Sequence, residues 1–227
     1  MTAPDVRQKA FTAFWLFEAT DHAKTACAEQ RAEARKAVVA AVESAADVTL
    51  RAAYSTAGLS AGVDLILWVV AEELAALQRL AARINCSPAG PMLRAKHVYL
   101  GVASMSQYDP DHGAAFLKGI PPKQYLSVYP FTKTPEWFLL PYEERRNLMA
   151  EHGKMGAEFP SILTNTVNSF GIADQEFIVA LEDDDPAVLV AMVQRLRGAK
   201  VRIYTQSDTP IFLGLRKELA DALDDAI

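Results

Sequence analysis

The stretch Phe11-Thr-Ala-Phe-Trp-Leu-Phe17 decides how the fold is interpreted, because a short run of aromatic residues with threonine predicts a strand. The Ala-rich segment after it carries scattered charges and predicts one long helix over residues 21–42, with Asp21 as its N-cap. The rest of this half predicts two strands, a helix and a strand, at 48–55, 64–70, 71–84 and 96–104. The predicted element order is therefore β-α-β-β-α-β.

The same order returns after residues 109–124, whose Pro, Gly and Asp content predicts a linker. The second half predicts a helix that takes Asp185 as its N-cap and Pro186 in its first turn. The expected strands are 125–133, 163–170, 176–182 and 200–205, and the expected helices are 141–155, 186–197 and 216–226. Two such units, residues 1–108 and 125–227, predict an α+β fold of duplicated ferredoxin-like type with a dimeric-α+β-barrel core.

Composition excludes several classes of protein. The 227 residues carry a net charge of −5, and no basic stripe with interleaved aromatics predicts nucleic-acid binding. The apolar run at 63–80 is interrupted by charged residues, so no membrane span is predicted. Cys27 and Cys86 belong to no metal or redox motif, which favours free thiols and a reducing, cytoplasmic location.

His152 is the most informative of the four histidines. On the predicted helix its neighbours at i−4, i−3 and i+3 are Leu148, Met149 and Met155, so its imidazole points into apolar surroundings. Spacing alone favours a core histidine with a satisfied hydrogen bond. The functional alternative is an axial ligand of a metal or haem iron, for which neutral imidazole is the usual donor.

Tyr129 and Lys133 lie four residues apart on one predicted strand, so both side chains face the same way. Pro130 between them predicts that this strand end lies at a rim. A phenol and an ammonium there could hold and oxidise an anionic ligand, although the spacing alone favours an ordinary amphipathic strand end. His112, in the linker, is either a solvated surface residue or a group that titrates near neutral pH.

The acidic run Glu182-Asp-Asp-Asp185 also has two interpretations. Several carboxylates together can bind a cation. The run more simply predicts a solvated helix N-terminus, because the helix dipole favours negative charge there.

These segments together resemble the chlorite dismutase-like superfamily, and within it the coproheme decarboxylases. The resemblance lies in Tyr129-Pro-Phe-Thr-Lys133, Trp137-Phe-Leu-Leu-Pro141, Glu143-Glu-Arg-Arg146 and Glu151-His-Gly153, and it extends over residues 97–215. It implies oxidative decarboxylation of iron-coproporphyrin III (coproheme), which is both substrate and cofactor, to haem b with hydrogen peroxide. It also implies a homopentamer that interacts with porphyrin and peroxide and with neither nucleic acid nor membrane.

The resemblance assigns a role to each candidate residue. His152 matches the axial ligand of the haem iron, and Tyr129 matches the tyrosine that forms a radical. Lys133 matches the basic residue beside that tyrosine, and Trp137 is expected near the haem. His112 matches the distal histidine of the actinobacterial type, which takes a proton from hydrogen peroxide.

Two departures from the family pattern narrow the expected reaction. Asn165 stands where chlorite dismutases carry a distal arginine, which argues against chlorite dismutation and leaves Asn165 as an amide facing the cofactor. Lys200 stands where relatives often carry a glutamate that accepts a hydrogen bond from the axial histidine, and a lysine cannot accept one. The alternatives to a decarboxylase are therefore a haem-binding protein or weak peroxidase of the same fold, and a barrel that binds no haem.

Overall fold

The computed structural model of the chain describes residues 10–103 and 113–227. These residues form two compact units. The first unit contains residues 10–103 together with Phe212–Ile227, and the second contains residues 113–211. The division of the chain at a linker over residues 109–124 stays a prediction.

The first unit is an antiparallel sheet with helices. Its strands are β1 (Ala10–Ala19), β2 (Thr49–Ser55), β3 (Leu65–Ala71), β4 (Leu93–Ala103) and β9 (Phe212–Lys217). β1 lies between β4 and β3, and β2 lies between β3 and β9. Its helices are α1 (Asp21–Thr25), α2 (Ala28–Glu43), α3 (Leu74–Asn85) and α7 (Leu219–Ala226).

Alternation along the strands builds the core of this unit. Trp15 and Phe17 of β1 and Leu67 and Val69 of β3 are buried on the same side, as a period of two requires. Each such side chain contributes about 1.5–3 kcal/mol when it leaves water. Helix residues complete the cluster: Val38, Leu77, Leu80, Ile84 and Leu223.

Three predictions in this unit are wrong in detail. The long helix expected over 21–42 is broken at Ala26, because the side chain of Gln30 accepts a hydrogen bond from the backbone N–H of Cys27 and starts a new helix there. The N-cap of α1 is Thr20, whose hydroxyl accepts from the N–H of Ala23, and not Asp21. The tail helix begins at Leu219 and not at residue 216, because β9 continues to Lys217.

The second unit has four strands in the order β6-β7-β5-β8. They are β5 (Tyr125–Lys133), β6 (Leu163–Asn168), β7 (Phe177–Asp183) and β8 (Thr205–Ser207), and β5 pairs with β7 and β8. Its helices are α4 (Pro135–Leu139), α5 (Tyr142–Gly156) and α6 (Pro186–Leu196), with 3₁₀ turns at Ala115–Lys118 and Lys200–Tyr204. α6 begins as predicted, with Asp185 accepting from the N–H of Ala187 and Pro186 in the first turn.

The strand predicted at 200–205 is wrong. These residues form a 3₁₀ turn in which the N–H of Arg202 bonds to the carbonyl of Ala199, and the strand that follows has only three residues. The apolar residues Ala199 and Val201 are buried against Trp137 and Met155. Packing against residues of α4 and α5, and not pairing in a sheet, therefore determines the conformation of this segment.

The acidic run is not a solvated helix terminus throughout. Glu182 and Asp183 are 0% and 3% exposed, and only Asp184 and Asp185 face water. Donors keep Asp183 charged: burial alone would raise its pKa, but the N–H of Asp185, the Ser161 hydroxyl and the Lys123 ammonium lower it. Within the described parts of the chain, no three His, Cys, Asp or Glu side chains are grouped to hold a metal ion.

No helix among the described residues is both long and apolar enough to span a bilayer.

Candidate functional site

Lys133 is an unusual residue because its ammonium group is buried. The side chain is at the end of β5 and the residue is only 7% exposed. Its Nζ lies 4.4 Å from the centroid of the Trp137 ring and 5.2 Å from that of Phe131, so aromatic faces replace part of its hydration. Burial, and then the charge of Arg202, lower the pKa of Lys133 to about 8, while Glu176 opposes the shift.

Tyr129 lies on the same strand, opposite Val179 of β7. Burial first, and then the negative charge of Asp208, raise the pKa of Tyr129 to about 12, while Arg197 and Arg202 act in the opposite direction. The phenol therefore stays protonated at neutral pH. Arg202 acts on both Tyr129 and Lys133, so all three belong to one electrostatic environment.

Arg197, Arg202 and Asp208 are members of this environment that the sequence interpretation missed. Arg197 forms an ion pair of 2.5 Å with Asp208, and Arg202 lies 3.5 Å from the same carboxylate. Two guanidinium groups thus share one carboxylate, and with Lys133 the cluster favours an additional anion. The strand that the sequence predicts at 200–205 gives no reason to pair these residues, whereas the observed 3₁₀ turn places Arg202 beside Asp208.

Trp137 connects this cationic cluster to α5. The N–H of Thr134 bonds to the carbonyl of Tyr204 at 3.0 Å, which holds the start of α4 against the 3₁₀ turn and buries Trp137. The Trp137 ring contacts Lys133 on one side and packs in a cluster with Met155 of α5. The same cluster includes Leu148, Met149, Leu140, Leu196, Val201 and Tyr204.

His152 lies on α5 between those packed residues. Leu148, Met149 and Met155, its neighbours at i−4, i−3 and i+3, all join the Trp137 cluster, and His152 itself is half-buried. An imidazole beside apolar side chains, with cations beyond the same cluster, is a donor set that suits an iron porphyrin with carboxylate substituents. The residues around His152 are thus compatible with a bound iron porphyrin, and the role of His152 as the ligand of its iron stays a prediction.

The other candidates lie elsewhere. Asn165 is 1% exposed, and its amide is bonded to the Phe116 N–H, the Ala180 carbonyl and Glu182. Lys200 is exposed at the start of the 3₁₀ turn. His112 lies outside the described residues.

Residues 31–217 match the sequence profile of the chlorite dismutase family. The chain belongs to this family. It is 34% identical over 171 residues to a coproheme decarboxylase of Mycolicibacterium smegmatis, with 74% of each chain covered. It is 26% identical to a coproheme decarboxylase of Staphylococcus carnosus, with 64% of each chain covered. The predicted resemblance is thereby confirmed.

Solved structures of this family have the same fold. A mutant chlorite dismutase from Candidatus Nitrospira defluvii superposes with a TM-score of 0.86 at 22% identity, covering 95% of this chain and 94% of the other. The complex of that organism's chlorite dismutase with imidazole gives a TM-score of 0.85 over the same shares. The predicted α+β fold class is confirmed.

Proposed function

We propose that the chain converts iron-coproporphyrin III to haem b, using hydrogen peroxide as the oxidant. The proposal is supported by the relatives named coproheme decarboxylase and by one observation above all: the buried ammonium of Lys133 and the phenol of Tyr129 lie on one strand, and the charge of Arg202 acts to lower the pKa of both. A haem carrier needs no redox-active side chain.

The reaction is balanced for each propionate. A –CH₂CH₂COOH group loses carbon dioxide, two electrons and two protons and becomes a vinyl group. One molecule of hydrogen peroxide accepts those electrons and protons and becomes two molecules of water. Two propionates react in this way, and the bound iron porphyrin supplies the redox chemistry that couples peroxide to them.

The cationic cluster binds and orients the propionates in this proposal. Arg202 and Lys133 offer charge-assisted hydrogen bonds to a carboxylate, and Arg197 pairs with Asp208, which leaves Arg202 only a longer contact of 3.5 Å to that residue. Lys133 has a pKa of about 8, which is close enough to neutrality for the ammonium to give or take a proton as the carboxylate is lost.

Tyr129 is the proposed electron donor. Because its pKa is raised to about 12, electron loss from the phenol is coupled to loss of the Oη proton, and the phenoxyl that forms can take a hydrogen atom from the propionate. His152 would hold the iron, with Trp137 beside it, and His112 would take a proton from peroxide. We further propose that the chain assembles as a homopentamer.

The alternative is a haem-binding protein or weak peroxidase without decarboxylase activity. Lys200 favours it, because a lysine cannot accept the hydrogen bond that a glutamate there would take from an axial histidine.

The test is mass spectrometry of coproheme after titration of the protein–coproheme complex with hydrogen peroxide. We expect two successive losses that correspond to two decarboxylations. Tyr129→Phe is expected to bind coproheme normally and to stop turnover, whereas Tyr142→Phe, which removes an exposed phenol from α5, is the matched control and is expected to react normally. Bound coproheme of unchanged mass in the unaltered protein would support the alternative and contradict the proposal.

A further inference from the structure

A connector, residues 115–124, is attached to the second unit by side chains and not by a strand ladder. It contains the 3₁₀ turn Ala115–Lys118, then Gly119 at a φ of +70°, and then Pro121 and Pro122. Such a backbone cannot join a sheet in register, so its N–H groups need other acceptors.

Asn165 supplies the first acceptor. Its Oδ1 accepts from the N–H of Phe116 at 3.0 Å, and its NH₂ group donates to Glu182 Oε1 at 3.0 Å and to the carbonyl of Ala180 at 3.4 Å. Both N–H bonds of the amide are therefore directed at protein atoms. A side chain in this state has no donor to offer a porphyrin or its ligand without breaking one of these bonds.

Glu182 and Asp184 supply the next acceptors. Glu182 Oε2 accepts from the N–H of Lys123 at 3.0 Å, and Asp184 Oδ1 accepts from the N–H of Gln124 at 2.9 Å. The ammonium of Lys123 lies 3.7 Å from Asp183 and 3.5 Å from Asp184. The acidic run thus meets the end of the connector with carboxylates directed at backbone donors.

We infer that Asn165 and Glu182 act as one positioning pair that fastens the connector to β6 and β7. Glu182 bonds to Asn165 through one carboxyl oxygen and to the connector through the other, so each residue orients its partner as well as a backbone N–H. Both are at least 99% buried, where a polar group without partners would be strongly destabilising. Asn165 therefore positions a segment of the chain, and the expectation that its amide faces the cofactor is replaced by this inference.

The inference is independent of the proposed function, because it can be tested on the protein without porphyrin. Amide hydrogen exchange is measured residue by residue in the unaltered protein and in Asn165→Ala and Glu182→Ala. Loss of a buried hydrogen bond in this network is expected to speed exchange at Phe116 by about tenfold or more in Asn165→Ala, and at Lys123 by a similar factor in Glu182→Ala. Because the two side chains orient each other, Asn165→Ala is also expected to speed exchange at Lys123, and Glu182→Ala is expected to speed it at Phe116.

Controls separate a local effect from unfolding. Thr166→Ala changes the next, exposed residue of β6 and is expected to leave exchange at Phe116 unaltered. Slow exchange at Ile178 of β7 reports that the sheet is intact. If Asn165→Ala does not fold, Glu182→Gln keeps the size of the side chain and replaces one of its two acceptor oxygens with an NH₂ group, so it is expected to speed exchange at Phe116 or at Lys123.

Unchanged exchange at Phe116 in folded Asn165→Ala would overturn the inference. So would a tenfold weaker affinity of that variant for coproheme with unchanged exchange, because the amide would then be a contact of the ligand. Unchanged coproheme affinity with faster exchange supports it, whatever reaction the protein performs.

Discussion

Replacement of Lys133 by methionine tests whether the ammonium is as poorly hydrated as its burial indicates. The pKa of this lysine is lowered from 10.5 to about 8, and a pKa difference of this size corresponds to roughly 3 kcal/mol. The Trp137 ring, whose centroid lies 4.4 Å from Nζ, offsets only part of the lost hydration.

The sign follows from proton linkage. Below about pH 8 both the folded and the unfolded chain carry the charge, and the folded state bears the full cost of burying it. Between about pH 8 and 10.5 the folded chain has lost the proton and the unfolded chain has kept it, so the stability of the unaltered protein rises with pH in this window. Lys133→Met has no such group, and it should be most favoured relative to the unaltered protein near neutral pH.

Urea unfolding of both proteins at several pH values between about 7 and 10.5 measures the effect. Other groups titrate alike in both, so the difference in the free energy of unfolding isolates Lys133. We expect that difference to change by roughly 3 kcal/mol in favour of the unaltered protein as pH rises to about 10.5. Lys154→Met, on an exposed position of α5, should show no such change. A difference that is flat with pH for Lys133→Met would refute the argument from burial.

Two further predictions concern stability, both measured by urea unfolding. A Cβ at Gly214 of β9 would lie 2.7 Å from Cβ of Tyr54, so Gly214→Ala should destabilise the protein by about 1–3 kcal/mol. Gly153→Ala, in open space on α5, should instead stabilise it by about 0.5–1 kcal/mol. Equal effects of the two substitutions would contradict the close approach of β9 to Tyr54. Asp185→Ala removes the acceptor of the Ala187 N–H and should cost about 1 kcal/mol, and Asp185→Asn, which can still cap α6, should retain most of that stability.

Local patterns predicted those parts of the fold in which one physical cause dominates. β5 was predicted with its observed bounds, since its residues are strand formers, and α6 was predicted because Asp185 and Pro186 mark a helix start by themselves. β9 was missed because it is short and contains Gly214, which the close approach of Tyr54 requires. Residues 200–203 alternate polar and apolar side chains, a period of two that predicts a strand, and no local signal indicates the 3₁₀ turn that they form.

Some residues of the candidate site could likewise be predicted from the sequence, and others could not. Tyr129, Lys133 and His152 were found from spacing and family resemblance. Arg202 and Asp208 were not, because their relation depends on the 3₁₀ turn that brings them together. The burial of Glu182 could not be predicted, since a run of acidic residues gives no local sign that the backbone N–H of Lys123 will bond to one of them.

The most direct test of the account is a titration of coproheme into the unaltered protein and into His152→Ala, followed by the Soret band. Loss of the axial imidazole should weaken binding by at least about tenfold and shift the band, since even loss of a ligand's hydrogen-bond partner has effects of that size. His22→Ala, which alters an exposed histidine of α1, should bind as the unaltered protein does. Identical affinity and spectrum for His152→Ala and the unaltered protein would contradict the central claim that this histidine holds the iron.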